Sequence, residues 1–119
     1  EFMAVAKALA DENRVRIVAL LADQSLCVCQ ITAVLKLAPS TVSKHLSVLR
    51  QAGLLEIEKR GRWIHCRLAG KEAPDAARQA LSWLRSSLKQ AMRLEDDQRL
   101  LAKVLKMNPA RLCRKVLGC

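Results

Sequence analysis

Apolar positions recur first at helical spacing, then at every second residue, then at helical spacing again. Over residues 3–23 two helical segments are separated near Asp11, and the second sets Val15, Ile17, Val18, Leu20 and Leu21 toward one buried face. The stretch CQITAVLKL (29–37) predicts a short helix presenting Ile31, Val34 and Leu35. Ala38-Pro39 then breaks and restarts the chain, with Pro39 suited to a first helical turn. The helix that follows, 39–53, carries Val42, Leu46 and Leu49 in one stripe, and Gly53 closes it. Residues 54–68 switch to period two: Leu55 and Ile57 alternate with Glu56 and Glu58, Trp63 and His65 with Ile64 and Cys66. EKRGR supplies the turn at Gly61, giving a hairpin with a basic tip. A long helix from about Pro74 to Met92 aligns Ala77, Ala80, Leu81, Leu84, Leu88 and Met92. Another helix is expected over about 95–107, and Asn108-Pro109 is read as its end, before a basic tail, ARLCRKVLGC. No internal repeat is present.

Two short helices, a tight turn, a hydroxyl-rich helix and a basic-tipped hairpin define a winged helix-turn-helix, mainly α with a β-hairpin wing. Residues 3–92 are expected to form the DNA-binding and dimerisation domain, and 93–119 a C-terminal helical extension and basic tail. At 119 residues, one domain accommodates the chain. No apolar run approaches the roughly 18 residues of a membrane span, and no basic segment precedes an apolar one as in a signal peptide. Glu1-Phe2 ahead of Met3 reads as a cloning remnant, with Met3 the expected native start.

Charge sharpens the picture. Twenty-one Lys and Arg against 11 Asp and Glu give a net +10, which points to a polyanionic partner. A membrane surface would call for an amphipathic helix rich in Lys and aromatic residues, and none is found. The solvent side of helix 39–53 carries Ser40, Lys44, Ser47 and Gln51, flanked by Thr41, Ser43 and Arg50, with no carboxylate. Small hydroxyls and cations suit phosphates and base edges. The candidate contacts to double-stranded DNA are therefore Ser40, Thr41, Ser43, Lys44, His45 and Arg50 on this helix, and Lys59, Arg60 and Arg62 on the wing. His45 is read as a partly buried helix residue that touches a phosphate, Trp63 as shared between wing packing and backbone contact, and Trp83 as packed at a dimer seam or core. The apolar face of the long helix exceeds what a lone wing covers, which predicts a homodimer. No Cys-His-Asp constellation, phosphate loop or paired carboxylates accompany either histidine, so an enzyme and an organic cofactor are not expected.

The run from Ser43 to Leu54, SKHLSVLRQAGL, resembles the ArsR/SmtB family of bacterial winged-helix repressors. ALADENRVRIVALL matches that family's first helices and GRWIHCRL its wing; the resemblance covers about residues 5–70 and is loose in the long helix. It implies a homodimer paired through the first helix and the long helix after the wing, bound to an inverted-repeat operator and released by metal. LCVC (26–29) resembles the Cys-Val-Cys element of the arsenical-sensing branch, which implies arsenite or antimonite as inducer, held by Cys27 and Cys29. That branch often has a third cysteine three residues after the second, where this chain has Thr32. The zinc- and nickel-sensing branches use Asp and His on the long helix; His45 and His65 are this chain's only histidines, so that site cannot be built from 74–92.

Thiolates select soft ions, and trivalent arsenic and antimony fit them. Five cysteines in a helix-rich chain predict reduced thiols in a cytoplasmic protein. A thiol near a helix N-terminus is expected to have a lowered pKa. Residues at i and i+2 do not share a helical face, so both sulfurs gripping one atom would require the first turn to unwind. Cys66 is read as buried packing, and Cys113 or Cys119 as the candidate third ligand, an outside thiol being the alternative. Two other functions fit the same residues: a thiol-redox-sensing repressor, and a protein-interaction winged helix without a DNA role.

Overall fold

The computed structural model describes residues 1–88 and 93–118. The chain opens with α1 (Phe2–Ala8), whose N-cap position is Glu1, and α2 (Glu12–Leu20). The break at Asp11 has a local cause. Its backbone is extended and its Oδ1 accepts the amide N–H of Asn13 at 2.8 Å and of Arg14 at 3.3 Å, capping α2. There follow β1 (Leu26–Cys27), α3 (Val28–Leu35), α4 (Pro39–Gln51), β2 (Leu55–Arg60), β3 (Trp63–Leu68) and α5 (Asp75–Leu88). The chain continues in α6 (Arg93–Leu105) and α7 (Pro109–Leu117). The expected long helix is described to Leu88, and Met92 lies outside the described residues.

α4 ends in a Schellman motif: Gly53 N–H donates to the Arg50 carbonyl and Leu54 N–H to the Leu49 carbonyl, each at 3.0 Å. Gly53 has φ +81°, and a Cβ there would stand 3.2 Å from Pro74 Cδ, so both backbone and packing require glycine. In the wing, Arg60 pairs with Trp63, leaving a two-residue turn whose Gly61 has φ +61°, as the first central position of a type II′ turn demands.

The sheet is antiparallel in the order β1-β3-β2. β1 is the element the pattern did not announce. It places Cys27 opposite His65 and Leu26 opposite Cys66, so the segment before α3 is hydrogen-bonded to the wing. The basic tail, with no helix expected past Asn108-Pro109, is helical as well. Asn108 caps α7, accepting the N–H groups of Ala110 and Arg111 at 2.9 and 3.2 Å, and Pro109 takes the first turn. α6 packs on α2 and α3, and α7 packs on α3. Leu101, Val104, Leu112 and Cys113 thereby join the same core as Ile17, Ile31 and Leu49. A bidentate ion pair fastens α6: Arg16 Nε and Nη2 reach Asp97 Oδ2 and Oδ1 at 2.8 and 3.0 Å. The arrangement is a mainly helical winged helix-turn-helix with a three-stranded sheet.

Candidate nucleic-acid interface and thiol site

α4 buries Val42, Leu46 and Leu49 and turns Ser40, Ser43, Lys44 and Arg50 to solvent, with Thr41 and His45 half buried. Lys44 and Arg50 form no ion pair among the described residues, which leaves both charges available to a partner. His45 sits differently from its neighbours. Its Nδ1 is 3.3 Å from Arg14 Nη1, while Arg14 Nε donates to the Ala8 carbonyl at 2.6 Å and Nη2 to that of Lys7 at 3.1 Å. Arg14 thus ties the end of α1 to α4 through His45, a role that no periodicity signals. On the wing, Lys59 and Arg62 are exposed and form no ion pair among the described residues, whereas Arg60 pairs with Glu58 at 3.3 Å. The Arg62 guanidinium lies 5.2 Å from the centroid of the Trp63 ring, which stiffens the tip.

Cys27 is the extended N-cap residue of α3 and Cys29 is the second residue inside it. The Cys27 N–H donates to Gln30 Oε1 at 2.9 Å, half of a capping box whose hydroxyl position is held by a thiol. Because Cys27 is outside the helix, its side chain escapes the i, i+2 divergence. The two Sγ atoms lie 2.6 Å apart, beyond the about 2.05 Å of a disulfide, and both thiols are free. No unwinding of the turn is needed to bring the sulfurs together, which corrects the geometric expectation.

The lowered pKa is corrected too. Cys29 is 1 % exposed, and burial, reinforced by the adjacent Cys27 sulfur, pushes its thiol up to about 12; the helix N–H groups act the other way and are outweighed. Cys66 is fully buried in the core and is pushed up to about 11, by burial first and by Cys27 nearby second. Thr32 occupies the position of the third cysteine; it is buried and its Oγ1 donates to the Val28 carbonyl at 2.7 Å. Cys113 is buried on α7. Cys119 lies outside the described residues. Among the described residues no three Cys, His, Asp or Glu side chains stand close enough to share one ion. Among the described residues the structure therefore brings together two sulfurs and no third donor.

A helix with a cationic, hydroxylated outer face, flanked by a basic wing, defines a winged-helix fold with a candidate DNA-facing surface. The bacterial regulatory protein arsR family model matches residues 11–56, spanning α2, α3, α4 and the start of β2. The chain is 45% identical over 64 residues to the arsenical resistance operon repressor of Escherichia coli K12, covering 53% of this chain and 55% of that protein. The cadmium metal-sensor CMTR from Mycobacterium tuberculosis is similar in fold, with a TM-score of 0.54 at 31% identity over 76% of this chain and 83% of that one. A homodimeric winged helix-turn-helix DNA-binding domain from Mycobacterium bovis aligns at a TM-score of 0.62 and 29% identity, over 76% and 80% of the two chains. Residues 11–56 form an ArsR-family helix-turn-helix domain. The chain spans about half the length of the curated relatives it matches.

Proposed function

We propose that this protein is a cytoplasmic DNA-binding transcriptional repressor of a metalloid-resistance operon, released from its operator when arsenite or antimonite binds Cys27 and Cys29. The observation that carries this reading is the pair of free, buried sulfurs 2.6 Å apart at the junction of β1 and α3. Their donor set is soft, which suits trivalent arsenic or antimony over hard oxygen-seeking ions. Each thiol exchanges its S–H hydrogen for a sulfur–arsenic bond while one arsenic hydroxyl leaves as water, so the step is balanced without a free proton. Two protein sulfurs leave arsenic's third valence to its own hydroxyl or to an outside thiol. No enzymatic step is involved.

Release follows from where the pair sits. Seating an atom between two sulfurs now 2.6 Å apart pushes Cys27 and Cys29 away from each other. Cys27 is paired to β3 opposite His65, and α3 packs on α4, so the displacement reaches the wing and the recognition helix together. A differential affinity of about 3 kcal/mol between the two states suffices for a roughly 150-fold loss of operator affinity. Cys27→Ser and Cys29→Ser are each expected to bind operator nearly as the wild type does and to lose release by arsenite, measured by fluorescence anisotropy on reduced protein. Arsenic absorption spectroscopy is expected to count two protein sulfurs in the wild type and an unchanged number in Cys66→Ser. Release of Cys27→Ser at the wild-type arsenite concentration would refute the site.

The same proximity supports a second reading, a thiol-redox switch in which Cys27 and Cys29 oxidise to a disulfide. A mild oxidant that releases the wild type from DNA while arsenite does not would select it.

A further inference from the structure

The segment from Gln98 to Gly118 carries Arg99, Lys103, Lys106, Arg111, Arg114 and Lys115 and not one Asp or Glu. Arg99 is paired with Asp96 at 3.6 Å, whereas Arg111, Arg114 and Lys115 on α7 form no ion pair among the described residues. α7 is fixed by its buried side, Leu112 and Cys113, and by the Asn108 cap. Its three cations, spaced i, i+3, i+4, therefore form a single outward arc. Like charges at that spacing repel. The helix dipole compensates Arg114 and Lys115 in the last turn, but Arg111 is in the first turn, where the dipole is unfavourable to a cation. Helix stability alone does not account for the arc.

Its position adds a second cation instead of a counter-charge. α7 runs beside the wing tip, and the two enclose a hollow of about 300 Å³ lined by Arg62, Trp63, Ala110, Cys113 and Arg114. Among the described residues two guanidinium groups and no carboxylate line this space, one from the wing and one from α7.

Resting on the proposed operator binding, we infer that α7 extends the DNA interface past the wing, with Arg114 beside Arg62 and Arg111 and Lys115 in line, to grip the phosphate backbone of duplex flanking the half-site. These contacts are to phosphates, so they add affinity and salt dependence without sequence preference.

The test uses a duplex obtained by in vitro selection with the full chain, as the selected core and with one helical turn of arbitrary sequence added at each end. On the flanked duplex the wild type is expected to show a log K against log salt slope steeper by at least about 1.8, the share of one phosphate for each Arg114 of a dimer. Over a fourfold rise in salt this is an extra loss of at least about 12-fold. Arg114→Ala should lower the difference between the duplexes by about 1.8 and leave binding to the core and release by arsenite unchanged; Arg114→Lys should restore it. A wild type that binds and responds to arsenite with equal slopes on both duplexes, or an Arg114→Ala slope equal to wild type, overturns the α7 surface alone. A chain that binds no duplex at any salt overturns the regulatory reading and this surface with it.

Discussion

Cys29 carries the competition between helix electrostatics and burial. A thiol one residue inside a helix N-terminus feels partial positive charge, yet desolvation at 1 % exposure wins and lifts its pKa to about 12. It therefore keeps its proton throughout the neutral range, and inducers are separated by how they dispose of that proton. A divalent ion such as cadmium must expel it, so cadmium affinity should rise at least about tenfold per pH unit between about pH 6 and 8. Neutral arsenous acid removes the thiol hydrogen as water and should bind with little pH dependence over the same range. Isothermal titration at several pH values in buffers of different ionisation heat checks both; a proton-releasing arsenite reaction would contradict the buried-thiol picture. The same shift affects stability. The folded protein holds the proton more tightly than the unfolded chain, whose thiol titrates near 9.0, so stability is intact below pH 9 and falls as pH rises from there toward about 12. Cys29→Ser should flatten that alkaline limb in urea titrations. The identity of the pair was legible in the CVC spacing; its burial was not, because the cover comes from β3 and the core, far away in sequence.

At the scale of elements, the stripes of α2, α4 and α5 and the alternation of β2 and β3 were readable because each repeats a period several times. β1 has two residues and no period to display; it exists because Leu26 and Cys27 find partners across β3. α7 was misread for a different reason. Asn108-Pro109 looked like a stop after α6, but Asn is also a favoured N-cap and Pro a favoured first-turn residue, and here the pair starts a helix. What joins this C-terminal layer to the rest is equally invisible locally: Arg16 and Asp97 are 81 residues apart, and their side chains are 19% and 9% exposed. Asp97→Asn should destabilise the protein by about 2–3 kcal/mol, because it leaves a largely buried guanidinium without its counter-charge. Hydrogen exchange should accelerate in α6 more than in α4. A loss under about 0.5 kcal/mol in urea unfolding would mean that apolar packing alone holds α6 in place.

For the whole molecule, the surface left over after folding bears on the expected homodimer. α1 and α5 pack on one another, and each leaves a large apolar side chain in solvent: Phe2 is 68% exposed and Trp83 63%. Trp83 is thus not a core residue of the single chain, which leaves the dimer seam as its expected place. An exposed Trp on a helix that already buries Ala77, Leu81 and Leu84 on its other side is the signature of a second packing face. Two-fold symmetry makes such a face self-complementary, so every residue in it counts twice. Truncating a central interface aromatic costs about 2 kcal/mol or more, so Trp83→Ala should weaken the dimer by about 4 kcal/mol, close to a thousandfold in dissociation constant. Trp83→Glu, which also sets two like charges against each other across the axis, should give a monomer in analytical ultracentrifugation at micromolar concentration. That monomer should retain weak, salt-sensitive binding to arbitrary duplex, because its α4 and wing are intact. It should lose tight binding to an inverted repeat, which needs two recognition helices about one helical turn apart. A Trp83→Glu protein that sediments as the same dimer, with operator affinity unchanged, would place the seam away from α1 and α5.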